Sequence, residues 1–252
     1  MFTHEEPGDA MKIKDEERAR EVFDDVWETL SKKGKFKRRK FPMMMVWLNG
    51  APGSGKGTNC ASVMRVLEIS SKPIEVSFLL NNPEDQVIKA AGGLIDDRRV
   101  VFLVFKELLR REYAKGVVID GFPRTPVQAI CLKLLMERIR ANDHNRSPFF
   151  KIINFTVSRE TSVARQLKRG RDAMEYNKLT ETVAIDGIGP EAKIPVRETD
   201  LFESKAALRY QTYEENMKNC VAILRDMPEY YEINTEGDME AVRNKVYRLL
   251  SL

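Results

Sequence analysis

The chain has 252 residues, enough for one mid-sized domain with an appendage or for two small domains at most. A hydrophobic fraction of 42% supports a substantial core, whereas 32% charged residues and the lack of long apolar runs exclude a membrane-embedded protein. The net charge of +4 is too small to indicate nucleic-acid binding by itself, so we expect neither a membrane nor a nucleic-acid partner. Three widely spaced cysteines and two histidines argue against a zinc module or a disulfide framework and fit a reducing compartment.

The first 40 residues differ in composition from the rest of the chain. An acidic start is followed by an apolar stripe at helical spacing, formed by Phe23, Val26, Trp27 and Leu30. A basic run then extends from 32 to 40. We interpret residues 1–40 as a helical extension that docks on the domain and continues as a solvated basic linker; the alternative is an arm that binds a partner or an anionic surface. No targeting segment is recognised, so we expect a cytoplasmic protein.

From position 41 onward, strand and helix patterns alternate. The predicted strands are 43–49, 74–78, 116–120, 151–157 and 230–233. The helix after the first strand is predicted to extend to about Ser70. A basic helix after the fourth strand is predicted to end near Gly170, before a polar insert at 172–196. Strands that alternate with helices of this length predict an α/β fold with a doubly wound parallel sheet of about five strands.

The strongest chemical signal is a glycine-rich turn between the first strand and its helix. It consists of Gly50, Ala51, Pro52, Gly53, Ser54, Gly55, Lys56, Gly57 and Thr58. Glycines allow backbone N–H groups to converge on phosphate oxygens, and the helix that follows offers unsatisfied N–H groups and the positive end of its dipole. Lys56 can reach the β- and γ-phosphates, and Thr58 can help to hold Mg²⁺. We call this segment the phosphate loop and predict that it binds ATP.

A second motif follows the strand at 116–120, at the sheet edge where the phosphate loop is expected. It reads Asp120, Gly121, Phe122, Pro123 and Arg124. Asp120 is placed to orient Mg²⁺ through water, and the planar guanidinium of Arg124 is suited to phosphate.

Together these motifs resemble the nucleoside monophosphate kinases, and adenylate kinase in particular. Gly57, inserted between Lys56 and Thr58, matches the phosphate loop of that family when taken with Pro52. The resemblance implies a P-loop NTPase-type fold, with a kinase domain at 41–252. It also implies two inserted parts: a short monophosphate-binding flap at about 77–97 and a covering LID at about 171–197.

The resemblance also implies roles for individual residues. The implied catalytic residues are Lys56, Arg124, Arg169, Arg197 and Arg209. ATP would be bound by the phosphate loop, with Arg165 over the donor adenine, and Thr58 and Asp120 would hold its Mg²⁺. The implied monophosphate-binding residues are Ser77, Gly121, Phe122, Arg124 and Gln128, the last of which reads adenine.

The flap departs from the family pattern, because Asn81 stands where an acceptor-binding arginine is expected. We hypothesise that Arg98 or Arg99 supplies the missing cation. The LID contains neither Cys nor His, so we expect no zinc.

The resulting expectation is a monomeric enzyme that reversibly transfers the γ-phosphoryl group of Mg²⁺-bound ATP to a nucleoside monophosphate, most favourably AMP. The alternatives are a kinase for UMP or CMP and a nucleotide-binding regulatory protein without turnover.

Overall fold

A computed structural model describes residues 7–32, 41–90, 95–142, 148–184 and 193–251. Within these ranges, five parallel strands form one sheet. They are β1 (Met44–Gly50), β2 (Ile74–Glu75), β3 (Val117–Asp120), β4 (Phe149–Thr156) and β5 (Tyr230–Asn234). Their spatial order is β2-β3-β1-β4-β5, so the strand order reverses at β1. The carboxyl end of β1 is therefore the switch point of the sheet, where α/β folds bind their ligands. The predicted doubly wound parallel sheet is confirmed.

Helices cover both faces of this sheet. They are α1 (Pro7–Lys32), α2 (Lys56–Val66), α3 (Val76–Leu79), α4 (Pro83–Ala90), α5 (Asp97–Leu108), α6 (Pro126–Asn142), α7 (Arg159–Ala184), α8 (Glu203–Arg225) and α9 (Met239–Leu250). Short 3-10 turns lie at Arg111–Tyr113 and Glu198–Asp200. None of the described helices has the length and apolar character needed to cross a membrane.

The side chains of β1 alternate between two apolar cores. Val46 and Leu48 join the core beneath α2 and α9, whereas Met45 and Trp47 join a larger core beneath α1, α5, α6 and α8. All four side chains are fully buried. This alternation follows from the two-residue period of a strand, and it explains why β1 reads as a continuous apolar run.

The N-terminal helix α1 is part of the larger core. Phe23, Val26 and Leu30 are buried against α5 and α6, and the ring of Phe23 lies edge-on to that of Phe105, with 6.1 Å between centroids. The apolar stripe of α1 thus covers surface that α5 and α6 would otherwise expose. The basic linker expected at 33–40 lies outside the described residues.

Two predicted element ends after the phosphate loop are wrong. α2 ends at Val66 rather than near Ser70, because Glu68 adopts a left-handed backbone (φ 52°) that a right-handed helix cannot contain. The extended piece predicted at 74–78 is a strand only over Ile74–Glu75, and Val76–Leu79 forms one helical turn.

The helix after the fourth strand was expected to end near Gly170, and this prediction is also wrong, because that helix, α7, continues to Ala184. Gly170 serves packing instead: a Cβ at this position would lie 2.1 Å from the backbone carbonyl oxygen of Asp200. The first part of the predicted insert is therefore helical. Residues 193–197 have no regular structure, and the glycines and proline at 187–190 lie outside the described residues. The LID boundaries stay a prediction.

Candidate functional site

The phosphate loop joins β1 to α2 and is held from behind by α7. Gly53 has a φ of +70°, and a Cβ there would lie 2.6 Å from the carbonyl oxygen of Ser162, so only glycine allows this close approach. The buried Ser162 hydroxyl donates to the Pro52 carbonyl at 2.6 Å. Within the loop, the buried Ser54 hydroxyl has no hydrogen-bond partner in the described structure. The loop is thus rigidly supported and keeps a hydroxyl that the protein itself does not use.

Lys56, the first residue of α2, folds back over its own loop. Its ammonium nitrogen donates to the carbonyl of Gly50 at 2.5 Å and to that of Ala51 at 3.1 Å. Burial lowers the pKa of Lys56 to about 8; neighbouring arginines act in the same direction, and Asp120 opposes them. Because an anionic group favours the charged ammonium, phosphate oxygens at this position would raise that pKa again.

The second motif lies directly beside the phosphate loop. Leu48 and Asp120 are register partners in the β1–β3 ladder, and the Gly121 N–H donates to the Leu48 carbonyl at 3.2 Å. The Arg124 guanidinium donates to the Gly121 carbonyl at 2.9 Å. It remains accessible, yet the surrounding protein partly removes it from bulk water, which lowers the pKa of Arg124. Asp120 and Arg124 thus occupy the same cleft as Lys56.

Three further arginines extend this cleft. Arg169 forms two hydrogen bonds with the buried Asp200 carboxylate, at 2.8 and 2.7 Å, and Arg209 approaches the same carboxylate at 3.4 Å. Burial, together with Arg197 and Arg169, lowers the pKa of Arg209 to about 10. One carboxylate therefore organises an excess of positive charge, which is the electrostatic requirement of a polyanion site.

Arg165 lies between the phosphate loop and the end of β5. Its guanidinium donates to the carbonyl of Thr235, after β5, at 2.8 Å and to that of Gly53 at 3.4 Å. It therefore bridges the phosphate loop and the loop that follows the last strand.

Known proteins share sequence similarity with this chain. A family model described as "AAA domain" matches residues 49–181. An adenylate kinase of Parabacteroides distasonis is 31% identical over 150 residues, which cover 56% of this chain and 75% of the relative. The chain belongs to the adenylate kinase family of nucleoside monophosphate kinases. Another adenylate kinase, from Pseudothermotoga lettingae, is 25% identical over 220 residues, covering 82% of this chain and 98% of the relative. An adenylate kinase of Cyanothece sp. is 28% identical over 148 residues, or 56% of this chain and 73% of the relative.

Three of the monophosphate-binding residues implied by the family resemblance are buried, namely Gly121, Phe122 and Gln128. Phe122 is fully buried and packs on Trp47, with 5.6 Å between ring centroids, so only its backbone could face a ligand. Gln128 is 3% exposed and is held by hydrogen bonds at both ends of its amide. Ser77 is half-buried in α3.

The arginines next to the predicted flap pair with carboxylates of α4 and α1. Asn81 is exposed. Arg99 forms a two-pronged ion pair with the buried Asp85 of α4, at 2.8–2.9 Å, and Arg98 pairs with Asp25 of α1 at 2.5 Å. Both guanidinium groups therefore already have a carboxylate partner. The structure adds no support for either as the missing flap cation, and that role stays a prediction.

Sequence reasoning assigned no role to several residues that organise the cleft. The buried Gln166 amide nitrogen lies 3.2 Å from the Ser162 hydroxyl, and its carbonyl accepts from Arg209 at 3.4 Å. These contacts connect the back of the phosphate loop to the arginine cluster. A polar pair at i and i+4 on α7 was the available signal for Ser162 and Gln166. Asp200 had no comparable signal, because its partners come from other helices.

The oxygen donors beside Lys56 suit Mg²⁺. Asp120 offers a carboxylate and Thr58 a hydroxyl, and hard cations prefer such ligands. Glu75 is the register partner of Asp120 in the β2–β3 ladder. Burial, then repulsion from Asp120, raises the pKa of Glu75. Among the described residues, no group of three or more His, Cys, Asp or Glu side chains could hold a metal ion.

Proposed function

We propose that this protein transfers the γ-phosphoryl group of ATP to a nucleoside monophosphate, with AMP as the preferred acceptor. The observation that carries the proposal is the convergence of Lys56, Arg124, Arg169 and Arg209 in one cleft. Each of the last three guanidinium groups contributes to lowering the pKa of Lys56, so all of them lie within electrostatic range of it. A cleft with this much positive charge is expected to bind two phosphate chains that approach each other end to end.

The chemical step is an in-line displacement. A phosphate oxygen of the monophosphate attacks the γ-phosphorus; a new P–O bond forms as the bond between the γ-phosphorus and the β,γ-bridging oxygen breaks. ADP leaves on the donor side, and the acceptor becomes a diphosphate. The attacking oxygen is already ionised, so no general base is needed, and catalysis consists of positioning and charge neutralisation.

The cationic side chains divide this work. Lys56 would contact the β- and γ-phosphates, Arg124 the acceptor phosphate, and Arg169 and Arg209 the group in transfer. Asp120 and Thr58 would hold the Mg²⁺ ion of ATP, which contributes further charge neutralisation and orients the phosphates. Because the acceptor and donor phosphates repel each other, each of these contacts is expected to matter most in the transition state.

Arg197 would join the site through the LID. The side chain of Asn177 on α7 binds the backbone of Ile194 twice, its amide nitrogen donating to the carbonyl and its carbonyl accepting from the N–H, both at 2.8 Å. This double contact ties the segment that leads to Arg197 to α7. A closed segment at this point would exclude water, which otherwise competes as the phosphoryl acceptor.

ADP formation from ATP and Mg²⁺ with AMP, CMP, UMP, GMP or buffer alone tests the proposal. We expect turnover only with a monophosphate, and fastest turnover with AMP. Lys56→Met should reduce it by orders of magnitude. Lys115→Met is the matched control, because Lys115 is exposed and precedes β3 at the opposite end of the sheet. ATP hydrolysis that is independent of every monophosphate would contradict the proposal, and ATP binding without turnover would instead support a regulatory role.

A further inference from the structure

The side-chain amide of Gln128 has a single hydrogen-bonding orientation. Its carbonyl oxygen accepts from the Arg124 backbone N–H at 2.9 Å, and its nitrogen donates to the Asp97 carboxylate, also at 2.9 Å. Rotating the amide by 180° would place two donors against each other at Arg124 and two acceptors against each other at Asp97. Both contacts therefore enforce the same orientation.

Asp97 is itself anchored. The Thr125 hydroxyl donates to the same Asp97 oxygen at 2.7 Å and accepts from the Gln128 backbone N–H at 3.1 Å. Asp97 is the first residue of α5, and Thr125 directly precedes α6. The two helix starts are thus joined through this carboxylate, and its position does not depend on one flexible side chain.

The fixed orientation decides which polar group Gln128 can offer to a ligand. Its oxygen accepts a hydrogen bond from a backbone N–H, and one of its two amide hydrogens is donated to Asp97. Within the described ranges, the second amide hydrogen has no partner, although the residue is only 3% exposed. A ligand at this position would therefore meet a donor.

We infer that Asp97 is a positioning residue that sets the base preference of the acceptor site. This inference rests on the proposed function, in which the acceptor phosphate meets Arg124. Gln128 lies in the first turn of α6, four residues after Arg124, and contacts the Arg124 backbone, so the base of the same nucleotide would lie within reach of the amide. A fixed donor selects a base whose ring nitrogen is an acceptor. Adenine and cytosine offer such a nitrogen beside an amino group, whereas the corresponding nitrogen of guanine and uracil carries a hydrogen.

Three variants test the role of Asp97. Asp97→Asn keeps an oxygen that can accept from Gln128 and should retain the base preference. Asp97→Leu removes the acceptor and releases one of the two constraints on the amide. The third variant, called the exchange variant, combines Asp97→Asn with Gln128→Glu and so exchanges the carboxylate and the amide. Its net charge is unchanged, but residue 128 now presents a hydrogen-bond acceptor to the base. Asp96→Asn is the control, because the Asp96 carboxylate accepts from the Arg99 backbone N–H and has no contact with Gln128.

The readout is the dissociation constant of each of AMP, CMP, GMP and UMP, measured by calorimetry without ATP, together with KM and kcat for the same four acceptors. We expect the wild type and Asp96→Asn to bind AMP and CMP more tightly than GMP and UMP. Asp97→Leu should reduce the AMP-over-GMP ratio about fivefold, as expected for the loss of one hydrogen bond, with the change in KM rather than kcat. The exchange variant should favour GMP and UMP.

Unchanged base preference in the exchange variant would overturn the inference, as would equal binding of all four monophosphates by the wild type. If Asp97→Leu does not fold, the exchange variant, which keeps a polar pair, decides alone. The two proposals fail separately. Selective AMP binding without ADP formation refutes the proposed phosphoryl transfer only, whereas ADP formation with an unchanged AMP preference in the Asp97→Asn/Gln128→Glu variant refutes the role of Asp97 only.

Discussion

Gly170 of α7 packs tightly against the turn that carries Asp200, so alanine at this position tests the arginine cluster without removing any charge. A Cβ on residue 170 would lie 2.1 Å from the Asp200 carbonyl oxygen, 2.8 Å from its carbonyl carbon and 3.1 Å from its Cβ. The first two are backbone atoms that cannot rotate away. The turn at 198–200 must therefore move outward by about 1 Å to restore ordinary contact distances.

The stability effect of Gly170→Ala combines two opposing contributions. Overpacking of this kind costs about 1–3 kcal/mol, while alanine in a helix gains up to about 1 kcal/mol over glycine. We expect a net loss of about 1–2 kcal/mol. The activity effect should be larger, because Asp200 orients Arg169 and Arg209, and a displacement of about 1 Å in a catalytic group can reduce the rate about 100-fold.

The assay pairs steady-state ADP formation with thermal unfolding of the same preparations. The matched control is Ala164→Gly, at an exposed position on α7, which should lose about 1 kcal/mol of stability with unchanged kcat. The reasoning would be supported if Gly170→Ala and Ala164→Gly unfold at comparable temperatures but only Gly170→Ala has a much lower kcat than the wild type. Wild-type kcat in Gly170→Ala would refute it, because the cluster would then tolerate the displacement of Asp200.

Three other predictions follow from the site and the core. ATP binding should be accompanied by proton uptake at pH 8–9, with about half a proton taken up at pH 8. The reason is that the pKa of Lys56 is about 8 in the free protein, against 10.5 for an ordinary lysine, and that bound phosphates raise it again. Calorimetry in buffers of different ionisation enthalpy measures the uptake, and an equal uptake in Lys56→Met would contradict the assignment to Lys56. Arg169→Ala should lower kcat at least 100-fold with little change in nucleotide dissociation constants, as expected for a contact made in the transition state; a change in affinity alone would make Arg169 a binding residue. Leu30→Ala, at a fully buried position of α1, should reduce the free energy of unfolding by about 2–5 kcal/mol with unchanged kcat at 25 °C, and near-wild-type stability in denaturant would mean that α1 is not an integral part of the core.

Features with a local physical origin could be predicted from the sequence. The apolar run of β1 and the glycines after it indicate a strand, a phosphate-binding turn and a helix, because each depends on residues that are adjacent in the chain. The same holds for the apolar stripe of α1. The sequence also indicated that the phosphate loop and the second motif would meet, since parallel strands align their carboxyl ends.

The ends of elements were less predictable. The sequence predicts a helix end near Gly170, but α7 continues, because the intrinsic cost of glycine in a helix, about 1 kcal/mol, is outweighed by the close packing that it allows against Asp200. The roles of Arg98 and Arg99 were also open, because their carboxylate partners come from other helices.

The residue types and their spacing were enough to predict the parallel sheet, to carry the resemblance to the family, and to single out most of the charged residues that meet in the cleft. Only the tertiary structure decided how the polar groups are oriented within that cleft. Asp97 and Gln128 are 31 residues apart, and so are Arg169 and Asp200. Contacts over such separations depend on how helices pack against one sheet, and no local pattern in the chain encodes the direction in which an amide or a guanidinium will point.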